Sequence, residues 1–235
     1  CADDGDGTVC PVVAAEPPAG VVDDDCNARD DDCDERVDEA QEDDWVVFAG
    51  FEIYAYEAVR PGATEVTPGL DLNPDDGVPA YVETRACSRP GALPWANVTW
   101  ADAAAACASA GARLCTPAEW QRACGGPAAA SYPYGGIYDA QLCNGGEYDV
   151  DPERDGVQDG ALVTGALMSC GRDGVYDLSG NLKEWVDASD GELRALRGGG
   201  FETNVAAGLT CEQAGDYKPD GFRAGSIGFR CCRDR

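Results

Sequence analysis

The sequence contains no histidine among its 235 residues. Imidazole is the usual general base for serine and cysteine nucleophiles and a common ligand of zinc and copper. Its absence excludes Ser/His and Cys/His catalysis and every histidine-based metal centre. Basic residues are also scarce, with 17 lysines and arginines against 44 aspartates and glutamates, a net charge of −27. This balance excludes nucleic acid as a partner, disfavours anionic membranes and favours divalent cations.

The cysteines never occur in the Cys-x-x-Cys pattern of zinc ribbons and thioredoxin-like redox sites. Thirteen cysteines are nevertheless present, which is typical of a disulfide-bonded protein in an oxidising compartment. We therefore expect a secreted or cell-surface protein. No apolar run is long enough to span a bilayer, so we expect no transmembrane segment.

An odd number of cysteines leaves one thiol without a partner in the chain. Cys1 is the candidate for a separate fate, because a chain that begins with cysteine resembles a mature lipoprotein anchored through a lipid-modified first residue. The alternative is that Cys1 pairs with Cys10 and that another thiol is free or intermolecular.

The acidic charge is concentrated in residues 1–44, which hold 17 acidic residues and two arginines, a net charge of −15. This segment has almost no large apolar side chains and cannot form a core of its own. We therefore divide the chain into an acidic, metal-binding segment (1–44) and a folded domain (45–235).

Within the acidic segment, aspartates alternate with other residues as they do in calcium loops. We expect metal ligands at four positions: Asp30, Asp32, Asp34 and Glu39. The pattern is not an EF-hand, because Glu35 stands at the position of its glycine. It resembles the short Asp/Cys-rich metal-binding motifs of bacterial surface proteins, in which Cys26 and Cys33 would close a small ring. A solvated acidic tail is the alternative.

The folded domain begins with a predicted strand over residues 45–56, followed by a long Pro-, Gly- and Asp-rich loop over residues 61–92. Two helices come next. Thr99 caps the first, with Asp102 placed as in a capping box, and Thr116 caps the second, with Pro117 at its first position. The inner face of the first helix is predicted to contain four residues: Ala103, Ala104, Cys107 and Ala108. Scattered short strands follow, so we predict an irregular, loop-rich α+β fold.

One loop of this domain has the composition of a hard-cation site. Asp177 and Glu184 supply carboxylates on either side of Gly180, which allows a sharp turn of the backbone. Calcium prefers such oxygen ligands from side chains and carbonyl groups.

Five motifs resemble, in order, those of the formylglycine-generating-enzyme-like (sulfatase-modifying factor) family. The resemblance covers residues 45–235. It implies a variant of the C-type-lectin-like fold, stabilised by calcium and disulfides. The motifs lie at residues 112–120 (ARLCTPAEW), 132–135 (YPYG), 176–185 (YDLSGNLKEW), 197–200 (RGGG) and 228–231 (GFRC).

The resemblance also implies the calcium ligands. Asp177 and Glu184 would bind one ion through their side chains, and Gly180 and Leu182 through their carbonyl groups. Asn144 would begin a second site, whose carboxylate lies within 149–159. Four candidates for that carboxylate stay open: Asp149, Asp151, Asp155 and Asp159.

The same resemblance implies two disulfides, Cys107 with Cys231 and Cys124 with Cys211. Cys143 and Cys170 flank the second calcium loop and are a further candidate pair. Cys87, Cys115 and Cys232 are left for other links, and Cys87 has no obvious mate.

Enzymes of this family oxidise a substrate cysteine to formylglycine with oxygen and copper(I), using two cysteines shortly after the motif at residues 197–200. Thiolate pairs suit copper(I). Here Thr203 stands at the first position and Gly208 or a neighbour at the second. Cys211 is assigned to a structural disulfide; a rival alignment makes it catalytic but leaves it without a partner. The sulfoxide synthases of the family need histidine-bound iron and are excluded.

We therefore predict a non-catalytic, calcium- and disulfide-stabilised extracellular module, a pseudo-enzyme that binds or builds a cell-surface assembly. Its partner is expected to be another surface protein or a second copy of the chain, contacted through the loops between residues 200 and 226. Two alternatives stay open: a copper-dependent oxidase with displaced thiols, and a calcium-dependent glycan-binding protein.

Overall fold

The computed structural model describes residues 26, 43–69, 85–149 and 160–235, together with the backbone of residues 2–3 and 8–9. None of the described helices is long and apolar enough to cross a membrane. In chain order the described elements are β1 (Ala2–Asp3), β2 (Thr8–Val9), β3 (Trp45–Phe48), β4 (Phe51–Tyr54), α1 (Trp100–Ser109), β5 (Arg113–Leu114), α2 (Pro117–Gly125), the 3₁₀ helix η1 (Met168–Cys170), β6 (Gly171–Arg172), β7 (Val175–Tyr176), β8 (Lys183–Asp190), β9 (Leu193–Arg197), the 3₁₀ helix η2 (Ala206–Leu209), β10 (Asp216–Pro219), β11 (Ile227–Phe229) and β12 (Cys231–Asp234).

The strands form two four-stranded sheets and two small hairpins. The first sheet has the order β3-β4-β12-β5, with antiparallel neighbours. The second has the order β10-β9-β8-β11, in which only the β8–β11 pair is parallel. The hairpins are β1-β2 and β6-β7. Few helices among many short strands confirm the predicted α+β class.

The segment predicted as a single strand is a hairpin. β3 and β4 pair antiparallel with Phe48 opposite Phe51, and the chain reverses at Gly50. Gly50 has a φ of +91°, a conformation that glycine adopts at little cost. The prediction of one continuous strand over residues 45–56 was therefore wrong.

Both predicted helices are confirmed, and their caps explain where they begin. The Thr116 hydroxyl accepts a hydrogen bond from the Glu119 amide, and the Glu119 carboxylate accepts one from the Thr116 amide at 2.8 Å, a complete capping box. At α1 the Thr99 hydroxyl accepts a hydrogen bond from the Asp102 amide at 3.2 Å. The Asp102 carboxylate accepts from the Thr99 hydroxyl rather than from the Thr99 backbone amide, so this capping box is incomplete.

The buried face of α1 differs from the prediction. Ala103, Ala106 and Cys107 are fully buried, whereas Ala108 is exposed and Ala104 only partly buried. Residues at intervals of three and four lie on one helix face, so the choice between Ala104 and Ala106 depends on the exact position of that face. A run of alanines gives no contrast in hydrophobicity that would fix it.

Five disulfides tie the elements together: Cys26–Cys87, Cys107–Cys231, Cys115–Cys232, Cys124–Cys211 and Cys143–Cys170. They include both pairs implied by the resemblance and the candidate pair around the second calcium loop. The vicinal cysteines of β12 serve opposite faces of the first sheet, since successive residues of a strand point to opposite sides. Cys231 belongs to the core cluster that contains Trp95 and Trp185, and Cys232 to the one that contains Trp120.

The expected ring between Cys26 and Cys33 is contradicted. Cys26 is bonded to Cys87, 61 residues away, and its carbonyl accepts a hydrogen bond from the Gly62 amide at 2.9 Å. Both sulfurs lie in a small buried cluster with Val59, so burial against the domain fixes the partner of Cys26. Cys33 and the expected ligands Asp30, Asp32, Asp34 and Glu39 lie outside the described residues.

Candidate functional site

The turn between β7 and β8, over residues 177–182, has an unusual backbone. Asp177, Gly180 and Asn181 all adopt positive φ, at 61°, 86° and 58°. A side chain at Gly180 would place its Cβ 2.6 Å from the carbonyl carbon of Asn144. Glycine is therefore required there for close approach as well as for conformation.

Asn181 holds this turn against two other loops. Its side-chain oxygen accepts hydrogen bonds from the Leu162 amide at 2.8 Å and from the Asn144 side chain at 3.0 Å. Its side-chain nitrogen donates to Glu57 and to the Leu162 carbonyl. One buried amide thus connects the turn, the loop after Cys143 and the end of β4.

Below the turn lies a group of buried ionisable side chains, here called the carboxylate cluster: Glu57, Asp177, Glu184 and Arg230. Arg230 is fully buried and pairs with Glu184 at 2.6 Å. It also donates to the carbonyls of Tyr54 at 3.1 Å and Tyr176 at 2.8 Å. The Trp120 indole donates to Glu184 at 2.7 Å. One guanidinium therefore organises the junction of both sheets.

The cluster holds more negative than positive charge. Burial raises the pKa of Glu57 well above its ordinary value, and the charges of Asp177 and Glu184 raise it further. Burial also raises the pKa of Asp177 to about 6, against the hydrogen bond from the Gly165 amide. Three carboxylates share one guanidinium, so a proton or a further cation must compensate the excess.

The four residues implied as ligands of the first calcium differ in whether their oxygen atoms are already engaged by other groups. Asp177, Gly180 and Leu182 belong to the turn, whereas the Glu184 carboxylate accepts from Arg230 and Trp120. In the described part of the chain, no three acidic or cysteine side chains converge as a metal cage. The excess negative charge of the cluster is the feature that would suit a divalent cation on the Asp177 side.

For the second implied site, the structure shows only the asparagine. Asn144 is buried, and its side chain donates to the Gly160 carbonyl at 3.0 Å. Of the four candidate carboxylates, Asp149 is described, and the other three lie outside the described residues.

Thr203, at the position expected for the first thiol, and Gly208, a candidate for the second, meet in a second site, here called the Thr203 pocket. Its volume is about 170 Å³, and its lining includes Thr203, Gly208, Lys183, Arg197 and Asp216. A Cβ built on Gly208 would lie 2.7 Å from the Thr203 methyl carbon. The two positions are therefore adjacent in space, and neither has a thiol.

The nearest cysteine along the chain is not available as a replacement. Cys211 is fully buried and bonded to Cys124 on α2. All ten cysteines in the described residues form disulfides. The described domain therefore contains no thiol that could act at the Thr203 pocket.

A group of tyrosines borders the same region. The ring of Tyr132 stacks on Tyr134 with centroids 5.3 Å apart and contacts Tyr138 at 5.6 Å. The Tyr132 hydroxyl donates to the carbonyl of Ala206, in η2 beside the pocket, at 3.1 Å. Aromatic side chains thus extend the surface around the pocket.

Sequence reasoning missed Glu57 and Arg230, the two members of the carboxylate cluster outside the motif at residues 176–185. Arg230 lies in the motif at residues 228–231, which carried part of the resemblance. Its ion pair with Glu184 joins residues 46 positions apart. A charged residue between Phe229 and Cys231, two buried apolar positions, was the available signal.

Comparison with known proteins finds relatives of similar sequence. The chain is 32% identical over 155 residues to "Inactive C-alpha-formylglycine-generating enzyme 2" of Bos taurus and 29% identical over 167 residues to "Formylglycine-generating enzyme" of Mus musculus. These alignments cover 59% and 60% of this chain but only 50% and 44% of those proteins. The chain therefore spans about half the length of the curated relatives it matches.

Solved structures show the same fold at low sequence identity. Treponema denticola variable protein 1 superposes with a TM-score of 0.54 at 17% identity, covering 79% of this chain and 84% of that one. PvdO from Pseudomonas aeruginosa superposes with a TM-score of 0.52 at 19% identity, covering 79% and 80%. The architecture is the C-type-lectin-like variant implied by the motifs. Because residues 36–235 match the sequence profile of the "Sulfatase-modifying factor enzyme 1-like domain", the chain belongs to that family.

Proposed function

We propose that this chain is a non-catalytic member of its family, a disulfide- and calcium-stabilised extracellular module that binds a partner. One observation carries the proposal: Thr203 stands at the position expected for the first thiol, beside Gly208 as a candidate for the second, and Cys211 is bonded to Cys124. Without two thiolates, the Thr203 pocket offers copper(I) none of the soft ligands that the family's reaction needs.

The names of the relatives support the same proposal. Two matched proteins at 32% identity, from Bos taurus and Mus musculus, are named as inactive formylglycine-generating enzymes. The match to the mouse protein named as the enzyme itself is slightly weaker, at 29%.

An oxidising environment is the second part of the proposal. All ten described cysteines form disulfides, which persist in secreted and surface proteins and are rare in the cytosol. The proposed location is therefore outside the cell or on its surface.

Thiol mapping and copper binding test the absence of catalysis. We expect a thiol reagent, applied to the native protein without reductant, to leave all peptides with the ten bonded cysteines unlabelled. We also expect no copper(I) binding in competition with a copper(I) chelator. Label on Cys124 or Cys211, or copper bound by the native chain, would support the oxidase alternative.

A double variant, Thr203→Cys with Gly208→Cys, provides the positive control for the copper assay. Cysteine at position 203 removes the methyl group that a Cβ at position 208 would contact, so the two changes are sterically compatible. The variant should gain copper(I) binding, since it restores two adjacent thiols.

Calcium is proposed as the cation of the turn at residues 177–182. Removing calcium with a chelator should lower the melting temperature by about 5–10 °C, because a ligand at a hundred times its Kd contributes about 2.7 kcal/mol and each kcal/mol shifts Tm by about 2–4 °C in a domain of this size. The Asp177→Asn variant should lose this dependence, whereas the exposed Asp190→Asn should keep it. Equal melting temperatures of the native protein with calcium and with chelator would contradict the proposal.

The partner surface is proposed to lie in the loops between residues 200 and 226, which include one wall of the Thr203 pocket. Two apolar side chains stand exposed there, Val205 at 62% and Phe222 at 38%. Exposed apolar groups next to a polar pocket are typical of protein-binding surfaces. The proposed binding partner of this surface is a second surface protein or another copy of this chain.

A further inference from the structure

The Thr203 pocket is a basic site on a strongly acidic chain. Lys183 and Arg197 line it, and Lys218 lies at its border through Asp216. Asp216 accepts from Lys183 and from Lys218, each at 2.7 Å. The lining itself holds two cations and one carboxylate, a net charge of +1, against −27 for the whole chain.

Asp216 shows how strongly the site favours a carboxylate. Burial alone would raise its pKa, but the hydrogen bonds from Lys183 and Lys218 lower the pKa below its ordinary value. The ionised carboxylate is therefore the stable form in this environment. The site already binds one acidic side chain of its own.

Arg197 has no such counter-charge within the described part of the chain. None of the ion pairs among the described residues includes it. One terminal nitrogen donates to the Gln213 carbonyl, and the buried Nε has no hydrogen-bond partner in the described residues. Burial lowers the pKa of this guanidinium.

Two other arginines, one on the same strand and one in the carboxylate cluster, do have carboxylate partners. Arg194, on the same strand, pairs with Asp220, and Arg230 pairs with Glu184. A partly buried guanidinium that lacks a carboxylate is unfavourable, because desolvation is not compensated. An anion in the pocket would provide the missing charge.

The size of the pocket limits what this anion can be. Its volume of about 170 Å³ is below the roughly 300–1,000 Å³ of sites for whole small ligands. It fits a single side-chain-sized group. Carboxylates are the groups that guanidinium ions bind with paired hydrogen bonds.

We propose that the Thr203 pocket binds an aspartate or glutamate side chain of an acidic segment of a partner protein, with Arg197 as its anchor. This inference rests on the proposed function, since it assigns a ligand to a pocket that has lost its thiols. Thr203 and Gly208 line the pocket beside this anchor, and neither contributes a thiol.

Binding of short, cysteine-free peptides to the full chain tests the inference. The probes are a glutamate-rich peptide with both ends blocked, the same peptide with glutamine in place of glutamate, and the glutamine peptide with a free C-terminal carboxylate. We expect only the glutamate peptide to bind. Binding of the free-carboxylate peptide alone, or no binding of the glutamate peptide, would overturn the proposal.

Two arginine variants make the test specific for the pocket. Arg197→Gln should weaken binding of the glutamate peptide by about tenfold, the loss expected for one charge-assisted contact. Arg194→Gln makes the same change in net charge on the same strand, yet it lies outside the pocket lining and should leave affinity within about twofold. Equal weakening by both would show a general charge effect and would sink the proposal.

A third variant is expected to act in the opposite direction. Asp216→Asn removes the carboxylate that competes for Lys183 and Lys218, so peptide affinity should rise by about tenfold. A purely structural role for these residues would not strengthen binding. Weaker binding by a folded Asp216→Asn protein would contradict the proposal, while thiol mapping tests the absence of catalysis separately.

Discussion

Replacing Arg230 with methionine should lower the free energy of unfolding by about 3–5 kcal/mol. Arg230 is fully buried, and it is the guanidinium shared by Glu57, Asp177 and Glu184. Its removal leaves buried carboxylates without compensation, and the carbonyls of Tyr54 and Tyr176 lose a donor. Denaturant unfolding with the disulfides intact measures the change.

Two further variants separate charge from geometry. Arg230→Lys keeps the charge but has no planar fork to reach Glu184 and two carbonyls together, so it should lose about half as much stability. Adding Glu184→Leu to Arg230→Met removes one of the uncompensated charges and should recover part of the loss. An Arg230→Met protein within 1 kcal/mol of the native one, on the order of a surface substitution, would show that the cluster is already neutral.

Gly180→Ala should be nearly as damaging, with an expected loss of about 3–4 kcal/mol. The φ of 86° costs an alanine about 1–2 kcal/mol. The added methyl group would also lie 2.6 Å from the carbonyl carbon of Asn144, and such overpacking costs about 1–3 kcal/mol. Thermal and denaturant unfolding both report the change.

Gly191→Ala is the matched control for this substitution. Gly191 has a φ of 62°, and no atom lies within 4 Å of a Cβ built on it. Its alanine variant therefore carries only the conformational cost, about 1–2 kcal/mol. Similar losses at positions 180 and 191 would show that the turn does not press on the loop at Asn144.

Local chemistry made the helices predictable. Thr99 and Thr116 cap α1 and α2 through hydrogen bonds to residues three positions later, so everything needed for those boundaries lies in a few neighbouring residues. The hairpin turn at Gly50 was missed because the apolar run before it and the alternating apolar residues after it were interpreted together as one strand. The positive φ of the glycine, not the apolar pattern, decides between the two.

The carboxylate cluster shows what local patterns cannot reveal. Glu57 and Asn181 are 124 positions apart, and Arg230 donates to the carbonyl of Tyr54 from 176 positions away. Their contacts exist only after both sheets have formed. The turn at Asp177 was predictable from its glycine and carboxylates, but the ion pair between Glu184 and Arg230 was not. The disulfide of Cys26 was likewise not predictable from local sequence, because Cys26 pairs with the distant, buried Cys87 and not with the nearby Cys33.

The vicinal cysteines of β12 have a consequence for the order in which the chain matures. Cys231 closes a span of 124 residues and Cys232 one of 117, whereas the Cys143–Cys170 bridge spans only 27. Short loops close more readily than long ones, and residues 231 and 232 leave the ribosome after all their mates. We therefore expect the disulfides to form first in the middle of the domain. The two disulfides of β12, which link both faces of the first sheet, are expected to form last.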